Sequence, residues 1–177
     1  IGRACLGYET KVVDNDGNEV KPGGSGELLV KGGAVAGSYW NKPEAEDFKD
    51  GWWHSGDIVR IDEDGFYYVV DRKKEMILTG GMKVYPREVE EVIAGHPAVH
   101  LVSVIGVPDE KWGESVKAVV VIKDGVNATE PDIIDYCKKN LAGFKCPKRI
   151  ILTDRLPKNP SGKILKRELK EMFASVN

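Results

Sequence analysis

The stretch Asp71-Arg-Lys-Lys-Glu-Met-Ile-Leu-Thr-Gly-Gly-Met-Lys-Val-Tyr-Pro86 marks the point at which the character of the sequence changes. Before it the chain is rich in turn signals, and 14 of its 20 glycines lie within the first 81 residues. After it, helical and strand patterns alternate. We therefore expect an α+β chain: a β-rich part over residues 1–71, then a small domain over residues 72–177 with a mixed sheet and about three helices.

The first part of the chain has the pattern of short strands separated by turns. Two turn signals stand out, Asp14-Asn-Asp-Gly17 and Asp62-Glu-Asp-Gly65, and the second of them predicts a hairpin. The apolar and β-branched stretches beside these turns are typical of strands. The predicted strands are Tyr8–Val13, a short return strand at Glu19-Val20, Glu27–Val30, Ile58–Ile61 and Phe66–Asp71.

Three helices and three strands are predicted after the change of character. Pro86 to Ala94 has a proline in its first turn, apolar residues at helical spacing and Gly95 as the stop. A second helix is expected to begin at Thr129-Glu-Pro-Asp132, and Ser161 is expected to cap a third. The predicted strands, rich in β-branched residues, are Val99–Val107, Val116–Ile122 and Arg149–Leu152.

Composition excludes several classes of protein. The 177 residues are 41% hydrophobic and 31% charged, which is typical of a globular domain and not of a disordered one. The longest strongly apolar run, Ala118 to Ile122, is far shorter than the ~20 residues of a membrane span. The three cysteines lack metal-binding spacing and the three histidines do not cluster with them, so we expect no metal site in the chain. An odd cysteine count favours a reducing, cytoplasmic location.

Candidate functional residues lie at the boundaries of predicted elements. Asp57, just before a strand, can accept hydrogen bonds from a diol such as ribose, or it can cap a turn. The basic cluster at residues 72–74 can bind phosphate or be a solvated strand end. Gly80 and Gly81 allow close approach of a ligand or form a plain turn. Lys163, on a loop stiffened by two prolines, can neutralise phosphate charge or belong to a basic linker.

Three motifs occur together in the chain: Gly51-Trp-Trp-His-Ser-Gly-Asp57, residues 71–90, and Pro157-Lys-Asn-Pro-Ser-Gly-Lys163. In this order and spacing they resemble the adenylate-forming superfamily. That superfamily comprises acyl-CoA synthetases, the adenylation domains of nonribosomal peptide synthetases and firefly-type luciferases. The likeness is greatest to acyl-CoA synthetases of fatty or aryl acids, and it runs over essentially the whole chain.

The resemblance implies an AMP-forming ligase. ATP and a carboxylic acid, expected to be a fatty acid, give an acyl-adenylate and pyrophosphate, and coenzyme A then displaces AMP to form a thioester. In the family a large N-terminal domain and a small mobile C-terminal domain share this work, so residues 1–71 are implied to end the large domain. The family's phosphate loop, acyl pocket and Mg²⁺ site lie upstream of the region matched here. The 177-residue chain by itself is therefore expected to be inactive.

The resemblance also implies roles for three residues in adenylation. Asp57 matches the acid that holds the ribose hydroxyls of the nucleotide, and Arg72 matches a basic residue that also contacts the nucleotide. Lys163 matches the lysine that adenylation requires, and it is the implied catalytic residue. Its ammonium is expected to offset the charge of the carboxylate that attacks the α-phosphate.

Two further roles concern the change between half-reactions. Lys74 falls at the hinge about which the small domain rotates. Gly80, Gly81 and Met82 match the loop that lines the channel for the pantetheine arm of CoA.

Two alternatives to a CoA ligase remain at this point. One is an adenylation domain that loads a carrier protein. The other is a non-catalytic module whose residues 145–170, with nine basic and two acidic side chains, bind anions. The acidic balance of the whole chain argues against a nucleic-acid partner, and the oligomeric state is left open.

Overall fold

Two units make up the chain, Ile1–Lys74 and Glu75–Asn177, here called the N-terminal and C-terminal units. The computed structural model describes residues 2–41 and 47–173. Within these residues the N-terminal unit has one antiparallel sheet, and the C-terminal unit has a mixed sheet with three α-helices. The predicted α+β fold class is confirmed.

The sheet of the N-terminal unit is organised around one long strand, β4. On one side β4 pairs with β2, which in turn pairs with β1. On the other side β3 pairs with the beginning of β4, and β5 pairs with its end. The strands are β1 (Tyr8–Val13), β2 (Ser25–Gly32), β3 (Phe48–Lys49), β4 (Trp52–Ile61) and β5 (Tyr67–Arg72).

The predicted hairpin at residues 62–65 is formed, because Asp62 organises the turn between β4 and β5. Its Oδ1 accepts hydrogen bonds from the backbone N–H groups of Asp64, at 3.0 Å, and Phe66, at 2.8 Å. These hydrogen bonds lower the pKa of Asp62 despite its partial desolvation, and the bond from the Phe66 N–H has the largest effect. The expected return strand at residues 19–20 was wrong, since the structure has only a single bridge between Val13 and Glu19.

The C-terminal unit begins with a short hairpin and continues with helices on a mixed sheet. Its central strand β9 pairs antiparallel with β8 and parallel with β10, and it meets β6 at one position. No helix among the described residues has the length and apolar character needed to cross a bilayer. The elements are β6 (Ile77–Thr79), β7 (Met82–Val84), α1 (Pro86–Ala94), β8 (Val99–Asp109), β9 (Gly113–Ile122), α2 (Glu130–Asn140), β10 (Arg149–Leu152) and α3 (Lys166–Phe173).

Both faces of β9 are covered, which explains the uninterrupted apolar run of residues 118–122 in its second half. Successive side chains of a strand point to opposite faces. Val116, Ala118 and Val120 therefore join the cluster that includes residues of α1 and α2. Val119 and Val121 lie in a second cluster with Leu169 of α3. The sheet is thus held between two layers of helix.

The last helix begins later than the sequence indicated. Ser161 was expected to be its N-cap, but α3 starts at Lys166. The Ser161 hydroxyl instead donates to Asn159 Oδ1 at 2.8 Å, inside a turn. The chain then returns to the preceding segment, where the Leu165 N–H donates to the Pro157 carbonyl at 2.9 Å. Residues 161–165 therefore belong to this turn and its return segment, and the helix starts only after them.

The reactivity of the three cysteines tests how α1 and α2 pack on the sheet of the C-terminal unit. Cys5 is exposed, whereas Cys137 and Cys146 are buried in the cluster under α1 and α2. Burial, with a smaller contribution from the charge of Cys146, raises the pKa of Cys137 to about 11. At pH 8 a thiol reagent should therefore modify one thiol of the native chain rapidly and two slowly. In denaturant all three should react alike. Rapid reaction of all three in the native chain would contradict the packing.

Candidate functional site

Asp57 and Arg72 are brought together across β4 and β5. The two residues are register partners, and Arg72 Nε lies 2.8 Å from Asp57 Oδ1. Asp57 was expected just before a strand, but it lies inside β4. Its carboxylate keeps 24% exposure and the Arg72 side chain 52%. The pair therefore faces solvent and leaves acceptor positions on the carboxylate for a ligand.

Ser55 fixes the backbone beside this pair. Its hydroxyl donates to the Leu28 carbonyl at 2.7 Å and accepts from the Asp57 N–H at 3.1 Å. Arg72 Nη1 donates to the Ser55 carbonyl at 3.4 Å. Both members of the ion pair are thus tied to the same residue. Between Ser55 and Asp57 on β4, Gly56 has a φ of +69°, a conformation that glycine adopts without strain.

A polar cleft of about 490 Å³ opens beside Arg72. Its wall contains Glu27, whose Oε2 lies 2.8 Å from Lys73 Nζ and 3.4 Å from His54 Nδ1. Burial of Glu27 by itself would raise its pKa, but the hydrogen bonds from Lys73 and His54 outweigh that effect and the pKa is lowered. Arg72, Lys73 and Lys74 line the cleft together with the acidic Glu27 and Asp47. Its cations outnumber its carboxylates by one, which favours an anionic ligand only modestly.

Sequence reasoning missed the role of Glu27 in this cleft. The residue was read as the first position of a plain strand, and nothing in its local pattern indicates a charged partner 46 residues away. One signal was available: an acid at a buried position of a strand needs a cation nearby. Lys74, the predicted hinge, is exposed in a short 3₁₀ helix, Lys73–Glu75.

In the C-terminal unit, Gly80 and Gly81 form a two-residue hairpin turn between β6 and β7. Their φ angles are +56° and +80°, and Thr79 pairs with Met82 across the turn. This geometry is the type I′ class that favours two glycines. The Met82 side chain is half exposed. The predicted CoA-binding residues therefore form one exposed, tightly defined turn.

Trp112 lies against this turn. The Gly80 N–H donates to the Trp112 carbonyl at 2.8 Å, and the indole is 41% exposed. The ammonium groups of Lys111 and Lys148 lie 4.9 and 5.7 Å from the ring centroid. An exposed ring flanked by two cations can stack on a base and attract phosphate.

Lys163 lies on an exposed turn that Asn159 closes. Asn159 Oδ1 accepts from the N–H groups of Ser161 at 3.1 Å and Lys163 at 2.8 Å, and the Asn159 N–H donates to the Lys163 carbonyl at 2.9 Å. The backbone of Lys163 is therefore fixed while its side chain is exposed. Its ammonium forms no ion pair with the residues that the structure describes. Such a lysine is available to an anionic ligand.

The candidate residues thus fall into two sets. Asp57 and Arg72 lie in contact in the N-terminal unit, whereas the turn of Gly80 to Met82 and Lys163 belong to the C-terminal unit. Over residues 2–41 and 47–173, no group of three or more His, Cys, Asp or Glu side chains could hold a metal ion.

Comparisons with known proteins identify the class. Residues 88–163 match the family described as the AMP-binding enzyme C-terminal domain. The chain therefore matches the C-terminal part of an adenylate-forming enzyme, as the three motifs indicated.

Within that class the similar proteins are mainly acyl-CoA ligases. The chain is 49% identical over 173 residues to the long-chain-fatty-acid–CoA ligase of Escherichia coli O6:H1, covering 97% of the chain and 31% of that protein. It is 46% identical over 167 residues to the feruloyl-CoA synthase of an Amycolatopsis species, covering 93% and 34%. The chain thus spans about a third of the length of these curated relatives.

Solved structures show the same likeness. The crystal structure of ATP-bound MatB from Rhodopseudomonas palustris matches with a TM-score of 0.92 and 38% identity, over 99% of this chain and 36% of that one. The O-succinylbenzoate CoA synthetase of Bacillus subtilis, solved with its acyl-adenylate, matches with a TM-score of 0.82 and 41% identity, over 93% and 34%.

The contact between the glycine turn and Trp112 predicts different effects for two adjacent glycines. A Cβ on Gly80 would lie 2.7 Å from Trp112 Cε3, whereas a Cβ on Gly81 would meet nothing within 4 Å. Both substitutions to alanine carry the strain of a positive φ, about 1–2 kcal/mol. Gly80→Ala should therefore lower the free energy of unfolding more than Gly81→Ala and shift the Trp112 environment. Equal destabilisation, measured by denaturant titration of the two variants, would contradict the contact.

Proposed function

We propose that the full-length protein containing this chain is an AMP-forming acid–thiol ligase that makes acyl-CoA from a fatty acid, ATP and CoA. Two balanced steps are involved: acid and ATP give acyl-adenylate and pyrophosphate, and acyl-adenylate and CoA give acyl-CoA and AMP. The observation that carries the proposal is the Asp57–Arg72 pair beside a polar cleft. It is supported by relatives named as fatty-acid and aryl-acid CoA ligases.

Asp57 and Arg72 are proposed to bind the nucleotide. A carboxylate has lone pairs enough to accept from both ribose hydroxyls while it keeps its bond to Arg72 Nε. Arg72 is half exposed, with Nε paired to Asp57 and Nη1 to the Ser55 carbonyl. Its Nη2 is proposed to face a phosphate or a ring oxygen of the ribose. The tie of both residues to Ser55 would keep this geometry fixed before the nucleotide arrives.

Lys163 is proposed as the catalytic residue of adenylation. When a carboxylate attacks the α-phosphate of ATP, two anions approach each other, and an ammonium group between them lowers the barrier. The exposed side chain on a fixed backbone suits this task. Lys163 is also proposed to contribute to binding of the nucleotide through the same charge.

The turn of Gly80, Gly81 and Met82 is proposed to bind CoA in the second step. Glycine turns let the backbone approach an extended ligand such as the pantetheine arm. The adjoining Trp112 ring with the ammonium groups of Lys111 and Lys148 is suited to the adenine and phosphates of the same molecule.

Lys74 is proposed as the hinge between the two half-reactions. The proposal takes residues 1–71 as the end of the large adenylation domain and residues 72–177 as the small domain that rotates. The exposure of Lys74 in a short 3₁₀ helix is compatible with a change of its backbone angles.

The full-length protein and the isolated 177-residue chain are expected to differ in acyl-CoA formation. The full-length protein, supplied with ATP, Mg²⁺, CoA and a panel of saturated fatty and aryl acids, should release AMP and form thioester with the fatty acids. The 177-residue chain under the same conditions should form none, because its relatives are about three times longer. Thin-layer or mass-spectrometric detection of acyl-CoA gives the answer. Turnover by the isolated chain, or none by the full-length protein with any acid, would refute the proposal.

Lys163→Ala in the full-length protein should separate the two half-reactions. Pyrophosphate exchange, which reports adenylation, should fall by about 10²- to 10³-fold, the usual cost of removing one group that stabilises transition-state charge. Thioester formation from supplied acyl-adenylate should persist at close to its normal rate. Lys158→Ala is the matched control, since Lys158 is an exposed lysine of the same loop. Similar losses in both half-reactions would contradict the role of Lys163.

A further inference from the structure

A partly buried ion-pair network lies three residues beyond the proposed catalytic lysine. Lys166, the first residue of α3, places its Nζ 2.9 Å from Glu90 Oε1 and 3.1 Å from Glu75 Oε2. The side chains of Lys166, Glu90 and Glu75 are only 20%, 22% and 26% exposed. Most of the other lysines and arginines with an ion pair among the described residues are about half exposed or more, so this contact is unusual in the chain.

Three separate elements of the C-terminal unit meet at this network. Lys166 comes from the beginning of α3, Glu90 from α1, and Glu75 from the end of the 3₁₀ helix that contains Lys74. Glu90 is itself held, because its Oε1 also accepts from the Val104 N–H of β8 at 2.8 Å. The loop that ends at Lys166 is thereby tied both to the core of the unit and to the residue that follows the hinge.

The network depends on the positive charge of Lys166. Burial by itself would lower the pKa of Lys166, but the carboxylates of Glu90 and Glu75 outweigh that effect and raise it. Lys166 is therefore a cation at every physiological pH. Without it, two carboxylates would face each other in a poorly solvated site, and the segments that carry them would separate.

We infer that Lys166 is a positioning residue for adenylation, which holds the Lys163 loop to the hinge-side residue Glu75 and to Glu90 of α1. Lys163 itself is exposed, and the turn that fixes its backbone is closed only by its own residues, chiefly Asn159. The network adds an ionic tie at the C-terminal side of that turn, beside the packing of Ile164 and Leu169 in the second core cluster. The inference rests on the proposed role of Lys163, and it adds no contact between Lys166 and a substrate.

The test uses four variants of the full-length protein, assayed with the acid that is fastest in the panel described above. In Lys166→Met, pyrophosphate exchange should fall by roughly 10²-fold, the cost of a misplacement of about 1 Å. Thioester formation from supplied acyl-adenylate should be retained. Lys166→Arg should restore most of the exchange rate, since it keeps the cation. Lys170→Met, at a lysine of the same helix that forms no ion pair with the residues the structure describes, should match the wild type in both assays.

Glu75→Gln keeps the test valid if Lys166→Met does not fold. It removes one charge and leaves the pair of Lys166 with Glu90, so the unit should stay folded while exchange falls by about 10-fold, as for loss of one charged hydrogen bond. Equal losses of exchange and of thioester formation in Glu75→Gln or Lys166→Met would overturn the inference, because they indicate a merely structural role. The inference would also be overturned if Glu75→Gln left the rate of pyrophosphate exchange unchanged and Lys166→Arg failed to restore that rate.

Lys163→Ala, measured in parallel, separates this inference from the proposed function. If Lys163→Ala retains adenylation, the role of Lys163 is wrong, and the inference falls with it. If Lys163→Ala loses adenylation while Lys166→Met retains it, only the positioning role of Lys166 is overturned.

Discussion

The pairing of Asp57 with Arg72 depends on a single irregularity in the register of β4 and β5. From the turn outward, Ile61 pairs with Tyr67 and Val59 with Val69, but the next pair is Ile58 with Asp71. One extra residue on β5 is accommodated at this bulge. Without it, Asp57 would face Asp71, and two like charges would lie directly opposite each other. The bulge instead places Arg72 opposite Asp57, and the proposed nucleotide site follows from that shift.

In the C-terminal unit, the exposed turns that carry the candidate residues project from a well-packed core. The second half of its central strand β9, residues 118–122, is apolar on both faces because α1 and α2 cover one side and α3 the other. The turns at Gly80 and Lys163 therefore project from elements that are packed in the core. The Lys166 network adds an electrostatic tie between two of these elements. Exposed catalytic and binding residues on a well-packed scaffold are a common arrangement in enzymes.

Local signals in the sequence predicted much of the fold. The helix Pro86–Ala94 and the strand Arg149–Leu152 have the predicted bounds, because proline, glycine and β-branched residues act over a few positions. The Asp62 turn also formed as predicted. The start of α3 was wrong, since the hydroxyl of Ser161 is used by Asn159. Competition between two local hydrogen-bonding partners cannot be resolved from composition alone.

The candidate site was only partly accessible from sequence. The motifs indicated Asp57, Arg72 and Lys163 through the family resemblance, and their roles stay proposals. The bulge between β4 and β5, the pair of Glu27 with Lys73, and the proximity of Trp112 to Gly80 all depend on long-range pairing. A pattern of nearby residues carries no information about such contacts, so they appear only in the structure.

The Asp57–Arg72 pair is proposed as the nucleotide-binding site of an adenylate-forming ligase, and a crystal structure of the full-length protein with a hydrolysis-resistant acyl-adenylate analogue would test this role. Both ribose hydroxyls should lie within hydrogen-bonding distance, about 2.6–3.2 Å, of the Asp57 carboxylate, with Arg72 still paired to it. A ribose held by other residues, with Asp57 and Arg72 facing only solvent, would show that the pair does not bind the nucleotide.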